Sequence, residues 1–197
     1  MCLLFETIRI EKGKLQNVSF HNERLNRSRK ELFGIDMLFD LQKIIHVPDS
    51  FYAEKHRCRI VYSTEIISIA FSQYTMRKIN NLKIVEDDTI EYAYKFEDRQ
   101  VIEKLRTGCK ADDILIIKNG LVSDTSYANI VFWDGIKWVT PSSPLLRGTT
   151  LTRLLLENKI QMEEIRKSDI KLFKSARIIN AMIGLEESPS IEIKNIF

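Results

Sequence analysis

The sequence predicts an α+β fold in two domains, on three observations. Short β-branched runs outnumber the amphipathic segments and arrive in pairs around tight turns, the pattern of antiparallel hairpins and not of strands alternating with crossover helices. Segments with apolar residues at helical spacing separate those pairs, and glycines close some of them. A polar link, Thr75 to Asn81, divides the chain into a small first domain (residues 1–76) and a larger second domain (residues 77–197).

Residues 3–10, LLFETIRI, favour a strand; Glu11-Lys12-Gly13-Lys14 is a turn, and Leu15 to Phe20 returns as a second strand. The segment 21–34, HNERLNRSRKELFG, is helical, with Leu25, Leu32 and Phe33 on one face and Gly34 as its C-cap. A short helix at 40–46 is stopped by Pro48. The runs 58–63 and 66–74 form a hairpin. Beyond the link come strands at 82–86 and near 90–95, then a helix from about 97 to 107 ending at Gly108. Two strand pairs fill 112–141, a proline-rich turn follows, and a helix opens near 150 and runs to 158. A strand near 161–166, a helix near 168–175 and a strand at 177–183 close the pattern.

The totals exclude several classes. A chain of 197 residues with 44% hydrophobic content can build one large or two small cores. No run approaches the roughly 18 consecutive apolar residues of a membrane span. The start, MCLLFETIRIEKGKL, is a poor signal peptide, with no basic leader and with Glu6 and Arg9 interrupting its apolar residues. Cys2, Cys58 and Cys109 are odd in number and match no metal-ligand spacing, so reduced thiols in a cytoplasmic protein and no metal are expected. Thirty basic and 27 acidic residues are intermixed for a net +3, which argues against a nucleic-acid partner. The most basic window, 166–177, reads as a solvated helix face.

Residues 112–153 hold the densest set of chemical groups. Asp124 and Asn129 stand five apart between apolar runs, and Gly148-Thr149-Thr150 opens a helix. Backbone amides at a helix start capture anions such as phosphate. A carboxylate beside the ring nitrogen of a pyridoxal cofactor keeps that nitrogen protonated. Each also has a plainer reading, as a turn aspartate, a turn amide and a threonine helix cap. Lys95, between Tyr94 and Phe96 at a strand end, could be desolvated enough to act as a nucleophilic amine; by spacing alone it is more simply a surface charge. Arg24, in His21-x-x-Arg24, could hold a phosphate in bidentate fashion, or be an exposed arginine on a helix that also carries Arg27, Arg29 and Lys30. INAMIG (179–184) is a buried strand end or the backbone wall of a pocket.

In this order the pieces resemble the class IV aminotransferase family, the fold-type IV pyridoxal-phosphate enzymes. FETIRI resembles the family's N-terminal F-E-T-x-R strand, HNERLNRS its H-x-x-R-L-x-x-S helix, and YKFEDR the segment with the Schiff-base lysine. DDILIIKNGLVSDTSYANIVF resembles the stretch that carries a glutamate for the pyridine nitrogen, here Asp124, and the asparagine, here Asn129. TPSSPLLRGTTLTR resembles the phosphate-binding loop, and INAMIG the turn whose backbone meets phosphate and substrate. The resemblance implies a two-domain fold related to D-amino-acid aminotransferase, a pyridoxal 5′-phosphate cofactor and a homodimer. It makes Lys95 catalytic and, with Arg24, Asp124, Asn129, Thr149, Thr150, Ala181 and Met182, cofactor-binding.

Departures from the family pattern shape the expected substrate. The chain begins almost at F-E-T, so the leading strand is expected to be missing and the first domain shortened. Asp124 reaches one methylene less than glutamate, and Leu151 stands where G-I-T-R has arginine. K-F-E-D-R and INAM resemble 4-amino-4-deoxychorismate lyase, which releases pyruvate and 4-aminobenzoate for folate synthesis. The alternatives are an amino-acid aminotransferase of the branched-chain or D-amino-acid type, and a relative that binds the cofactor without catalysis. In each case the partner is a small-molecule amine.

Overall fold

The computed structural model describes residues 2–52 and 54–197. They form two compact units, Met1–Met76 with Tyr94–Asp98, and Arg77–Ala93 with Arg99–Phe197. The short segment that carries Lys95 therefore packs with the first unit, although it lies beyond the polar link in sequence.

The first unit is a four-stranded antiparallel sheet with one long helix. Its strands are β1 (Leu4–Glu11), β2 (Lys14–Leu15), β3 (His56–Tyr62) and β4 (Ile66–Gln73), in the order β2-β1-β3-β4. Helix α1 spans Val18–Phe33, and α2 is a single turn, Leu41–Ile44. The second strand is far shorter than the sequence reading of 15–20. Asn17 sits in the left-handed conformation (φ 54°), which asparagine tolerates, and turns the chain into α1. Val18 then extends the apolar stripe of Leu25 and Leu32 by whole helical turns. Gly34 ends α1 at φ 68°, its N–H bonded to the carbonyls of Arg29 and Lys30. Leu4, Ile8, Ile10, Leu25, Cys58, Ile60 and Tyr62 form the core.

The second unit is built on a larger mixed sheet. Its strands are β5 (Leu82–Glu86), β6 (Asp113–Lys118), β7 (Leu121–Thr125), β8 (Asn129–Trp133), β9 (Trp138–Pro141) and β10 (Gln161–Glu163), in the order β10-β9-β8-β7-β6-β5. Strand β11 (Ser175–Ile179) joins β8, and β12 (Ile191–Glu192) joins β11. Pairing is antiparallel except for β5 with β6 and β9 with β10. Helix α3 is Gln100–Arg106 and α4 is Thr149–Leu156. Phe132, stacked on Phe173, sits in a core with Leu82, Leu115, Ile130 and Ile178.

Three expectations change here. No strand forms at 90–95: burial alternates from Ile90 to Ala93, but pairing with β1 is confined to an isolated bridge between Leu4 and Phe96 and the bonds beside it. Helix α3 starts at Gln100 and not near 97; Glu97 still belongs to the segment that packs with the first unit and donates its N–H to the Leu3 carbonyl at 2.9 Å. The helix expected at 168–175 is a 3-10 segment, Lys167–Leu172, and the strand that follows begins at Ser175.

Candidate active site

Two of the residues singled out from sequence, Arg24 and Lys95, belong to the first unit. Strand β1 turns Leu4, Glu6, Ile8 and Ile10 inward, each 0% exposed. A carboxylate in that row must be paired to remain ionised. Helix α1 supplies the partners on one face, His21 and Arg24, three residues apart. Arg24 Nε donates to Glu6 Oε1 at 2.8 Å and Nη2 donates to Oε2, a forked pair. His21 Nδ1 lies 2.6 Å from Oε2. Burial pushes the Glu6 acid upward, but the Arg24 charge and the hydrogen bonds from His21 and Arg24 outweigh it, lowering its pKa from 4.5 to about 2. Glu6 is thus the acceptor and His21 Nδ1 carries the hydrogen. Burial lowers the His21 pKa; the bond to Glu6 opposes this, and the charges of Arg24 and Lys95 add to it. At neutral pH the cluster is one ionised pair with a neutral imidazole.

Lys95 is half-buried. Its carbonyl accepts the Phe5 N–H at 3.0 Å, which ties the segment to β1. Its Nζ lies 4.6 Å from the centre of the Phe5 ring, and Tyr94 and Phe96 meet edge to face at 5.9 Å. The exposed-arginine alternative fails for Arg24, which is 6% exposed; Arg29 is buried too, while Arg27 and Lys30 face solvent. Arg29 is structural, donating to the carbonyls of Met37 and Thr64 with its guanidinium 3.6 Å from the Phe39 ring centre.

The other six lie in the second unit, where hydrogen bonds join Asp124 to Asn129 in one cluster and Thr150 to Met182, through Asn180, in another. Asp124, next to the end of β7, pairs with Asn129, which opens β8. Asn129 Nδ2 donates to Asp124 Oδ1 at 2.7 Å and to the Leu146 carbonyl at 2.9 Å. Both partners are acceptors, which fixes the orientation of the amide. Its oxygen accepts the Gly148 N–H at 3.2 Å, and Asp124 Oδ2 accepts the Leu146 N–H at 3.0 Å. Gly148 caps α4, and the first intrahelical bond is Thr152 N–H to the Gly148 carbonyl. The amides of the first turn, Thr149 to Leu151, precede that bond and give the helix start its anion affinity. Thr150 Oγ1 donates to the Asn180 carbonyl at 2.8 Å. Asn180 Oδ1 in turn accepts the Met182 and Ile183 N–H groups, so the Ala181–Met182 turn is held rigid. Both donor hydrogens of Asn129 are spent inside the chain, which makes it the residue that positions Asp124 and Gly148.

Solved structures put this geometry in context. A Haemophilus somnus 129PT protein, provisionally named 4-amino-4-deoxychorismate lyase, is 36% identical, with 94% of this chain and 98% of that one covered at a TM-score of 0.87. The model of the family described as amino-transferase class IV matches residues 98–187.

The chain belongs to the class IV aminotransferase family. It is accordingly a pyridoxal-phosphate-dependent enzyme, a lyase or an aminotransferase. A Haemophilus influenzae protein of uncharacterized function is 42% identical over 187 residues, 92% of this chain and 98% of the relative. A Mesorhizobium loti structure provisionally named an amino-acid aminotransferase shares the fold at 18% identity, with both chains covered in full and a TM-score of 0.81.

The second unit's residues suit the class IV cofactor. The Asp124 carboxylate is buried and takes hydrogen bonds on both oxygens, from Asn129 and from the Leu146 N–H, which hold it in one orientation. Gly148 lets its backbone lie directly against the Asn129 amide, since a Cβ there would collide with Asn129 Oδ1. Among the described residues no cluster of His, Cys, Asp and Glu is placed to hold a metal ion. Sequence reading missed Glu6, Leu146 and Asn180, and it gave Arg99 no task. Arg99 donates to the Ser126 carbonyl and pins the turn between β7 and β8. Glu6 alone had a signal: a charge in the even-numbered row Leu4, Glu6, Ile8, Ile10, which is otherwise apolar.

Proposed function

We propose that the enzyme is a pyruvate-eliminating lyase acting on 4-amino-4-deoxychorismate. The observation that carries this is the near full-length match to the Haemophilus somnus protein of that provisional name, at 36% identity and with 98% of its chain covered. The K-F-E-D-R and I-N-A-M segments point the same way. Bound pyridoxal phosphate supplies an electron sink. Lys95 supplies the primary amine that anchors it and then moves the proton at the amine-bearing carbon of the substrate. Asp124, aimed by Asn129, accepts the hydrogen bond of the pyridine nitrogen and keeps it protonated. By resemblance to the family's motifs, Arg24 is assigned to the phosphate, and so are the amides of Thr149 and Thr150 and the backbone of Ala181 and Met182.

The partner is a small amine substrate, and the place of action is folate synthesis in the cytoplasm, in keeping with three cysteines that form no disulfide. The working form is a homodimer, by resemblance to the family. One observation favours a second reading, an amino-acid aminotransferase: Asp98 stands where the lyase motif has asparagine. Purified enzyme given aminodeoxychorismate, with pyruvate detection, against amino donors with 2-oxo acids separates the two. Pyruvate release without amino transfer supports the lyase; amino transfer without pyruvate release overturns it.

A further inference from the structure

The Glu6 carboxylate has no place in the chemistry above, yet the first unit is organised around it. It is fully buried in the apolar row of β1 and takes three hydrogen bonds, two of them from Arg24. Burying a charge in this way is retained only where its partners repay the desolvation. The forked bond fixes the plane of the Arg24 guanidinium through Nε and one hydrogen of Nη2. The opposite edge, with Nη1 and the second Nη2 hydrogen, is thereby set in one direction. The carboxylate also cancels the formal charge of the arginine. An arginine neutralised at one edge recognises an anion through oriented donors and not through net charge.

We infer that Glu6 is a positioning residue, which fixes Arg24 so that the outer edge of its guanidinium meets the cofactor phosphate; this rests on the reading of Arg24 as a phosphate ligand. His21 completes the device by closing the remaining side of the carboxylate at 2.6 Å. Orientation and charge predict opposite signs for one substitution. Glu6→Gln removes a negative charge beside Arg24, so simple electrostatics makes anion binding tighter. If Glu6 acts by orientation, anion binding weakens.

The test measures the Kd of the full-length protein for pyridoxal phosphate and for pyridoxal by absorbance titration. Their ratio reads the phosphate alone, and a general loss of folding or of Lys95 chemistry cancels from it. Glu6→Gln is expected to lower the phosphate advantage about tenfold, and Arg24→Lys, which keeps charge but loses the fork, to lower it by a similar factor. Glu6→Asp keeps the charge with a shorter reach; it is expected to lower the advantage too, and it serves if Glu6→Gln does not fold. An advantage unchanged or increased in the Glu6 variants, with Arg24→Ala lowering it, overturns the positioning role and leaves Arg24 as the phosphate ligand. An advantage unchanged in Arg24→Ala overturns both.

Discussion

Replacing Gly148 by alanine probes the centre of the second-unit network. The backbone there is ordinary (φ −68°, ψ 153°), so alanine meets no conformational barrier. The obstacle is spatial. An added Cβ falls well inside 3.0 Å of Asn129 Oδ1 and 3.5 Å from its Cγ. The oxygen has to retreat by more than about half an ångström, enough to spoil hydrogen bonds of ordinary length. Asn129 is 5% exposed and fixed by bonds to Asp124, Leu146 and Gly148, so it has no open space to swing into. Losing those three bonds at about 1 kcal/mol each gives about 3 kcal/mol. For a chain of this size that lowers Tm by roughly 6–12 °C. Differential scanning calorimetry of Gly148→Ala measures it, with pyridoxal-phosphate titration alongside to show weakened binding. The same change in an Asn129→Ala background removes the collision, so the second substitution costs little and the double-mutant cycle shows strong coupling. A Gly148→Ala protein with unchanged Tm and cofactor affinity, or additive effects in the cycle, refutes the packing argument.

Other outcomes follow from the same geometry. Asp124→Ala is expected to keep part of the cofactor affinity and slow turnover by about tenfold or more, since the proposed site assigns it a charged hydrogen bond to the ring; an unchanged rate in a steady-state assay removes Asp124 from the mechanism. Acid unfolding reports the Glu6 cluster. The Glu6 pKa, lowered from 4.5 to about 2, contributes stability that is complete above about pH 4.5 and fades as the pH falls towards 2, with an upper bound of about 3 kcal/mol. The lowered His21 pKa acts in the same direction: below about pH 6.5 the unfolded chain takes up a proton that the folded one resists, and stability declines. Glu6→Gln should flatten the pH dependence of urea midpoints between 4.5 and 2, and an identical acid limb would contradict the ion pair. Arg99→Gln frees the turn between β7 and β8 and should speed hydrogen exchange at Ser126 to Ala128; unchanged protection there argues against its pinning role.

The hairpins were readable from the sequence because alternation and turn residues are local signals. The β3–β4 pair and the strands between 113 and 141 stand close to where those signals put them. The shortened β2 was hidden because Val18 fits either a strand or the stripe of α1, and only the left-handed turn at Asn17 decides. Tyr92 is buried in an alternating run that has no partner strand, and pairing is settled in space and not in sequence. The charged residues of α1 look like a solvated face until β1 is set against them; then Glu6 explains Arg24 across 18 residues, and Thr64 explains Arg29 across 35. Asp124, Asn129 and the Gly148-Thr149-Thr150 loop were visible as residue types at a telling spacing. Their joining through Leu146 and Asn180 was not, because those contacts depend on backbone atoms that any residue supplies.

The most direct test of the account is the identity of the lysine that takes the cofactor. Full-length protein is loaded with pyridoxal phosphate, reduced with borohydride, digested and mapped by mass spectrometry. The account predicts a single pyridoxyl adduct on Lys95, with the visible absorbance band lost on reduction and absent from Lys95→Ala. An adduct on another lysine, or a band that survives in Lys95→Ala together with turnover, would contradict it.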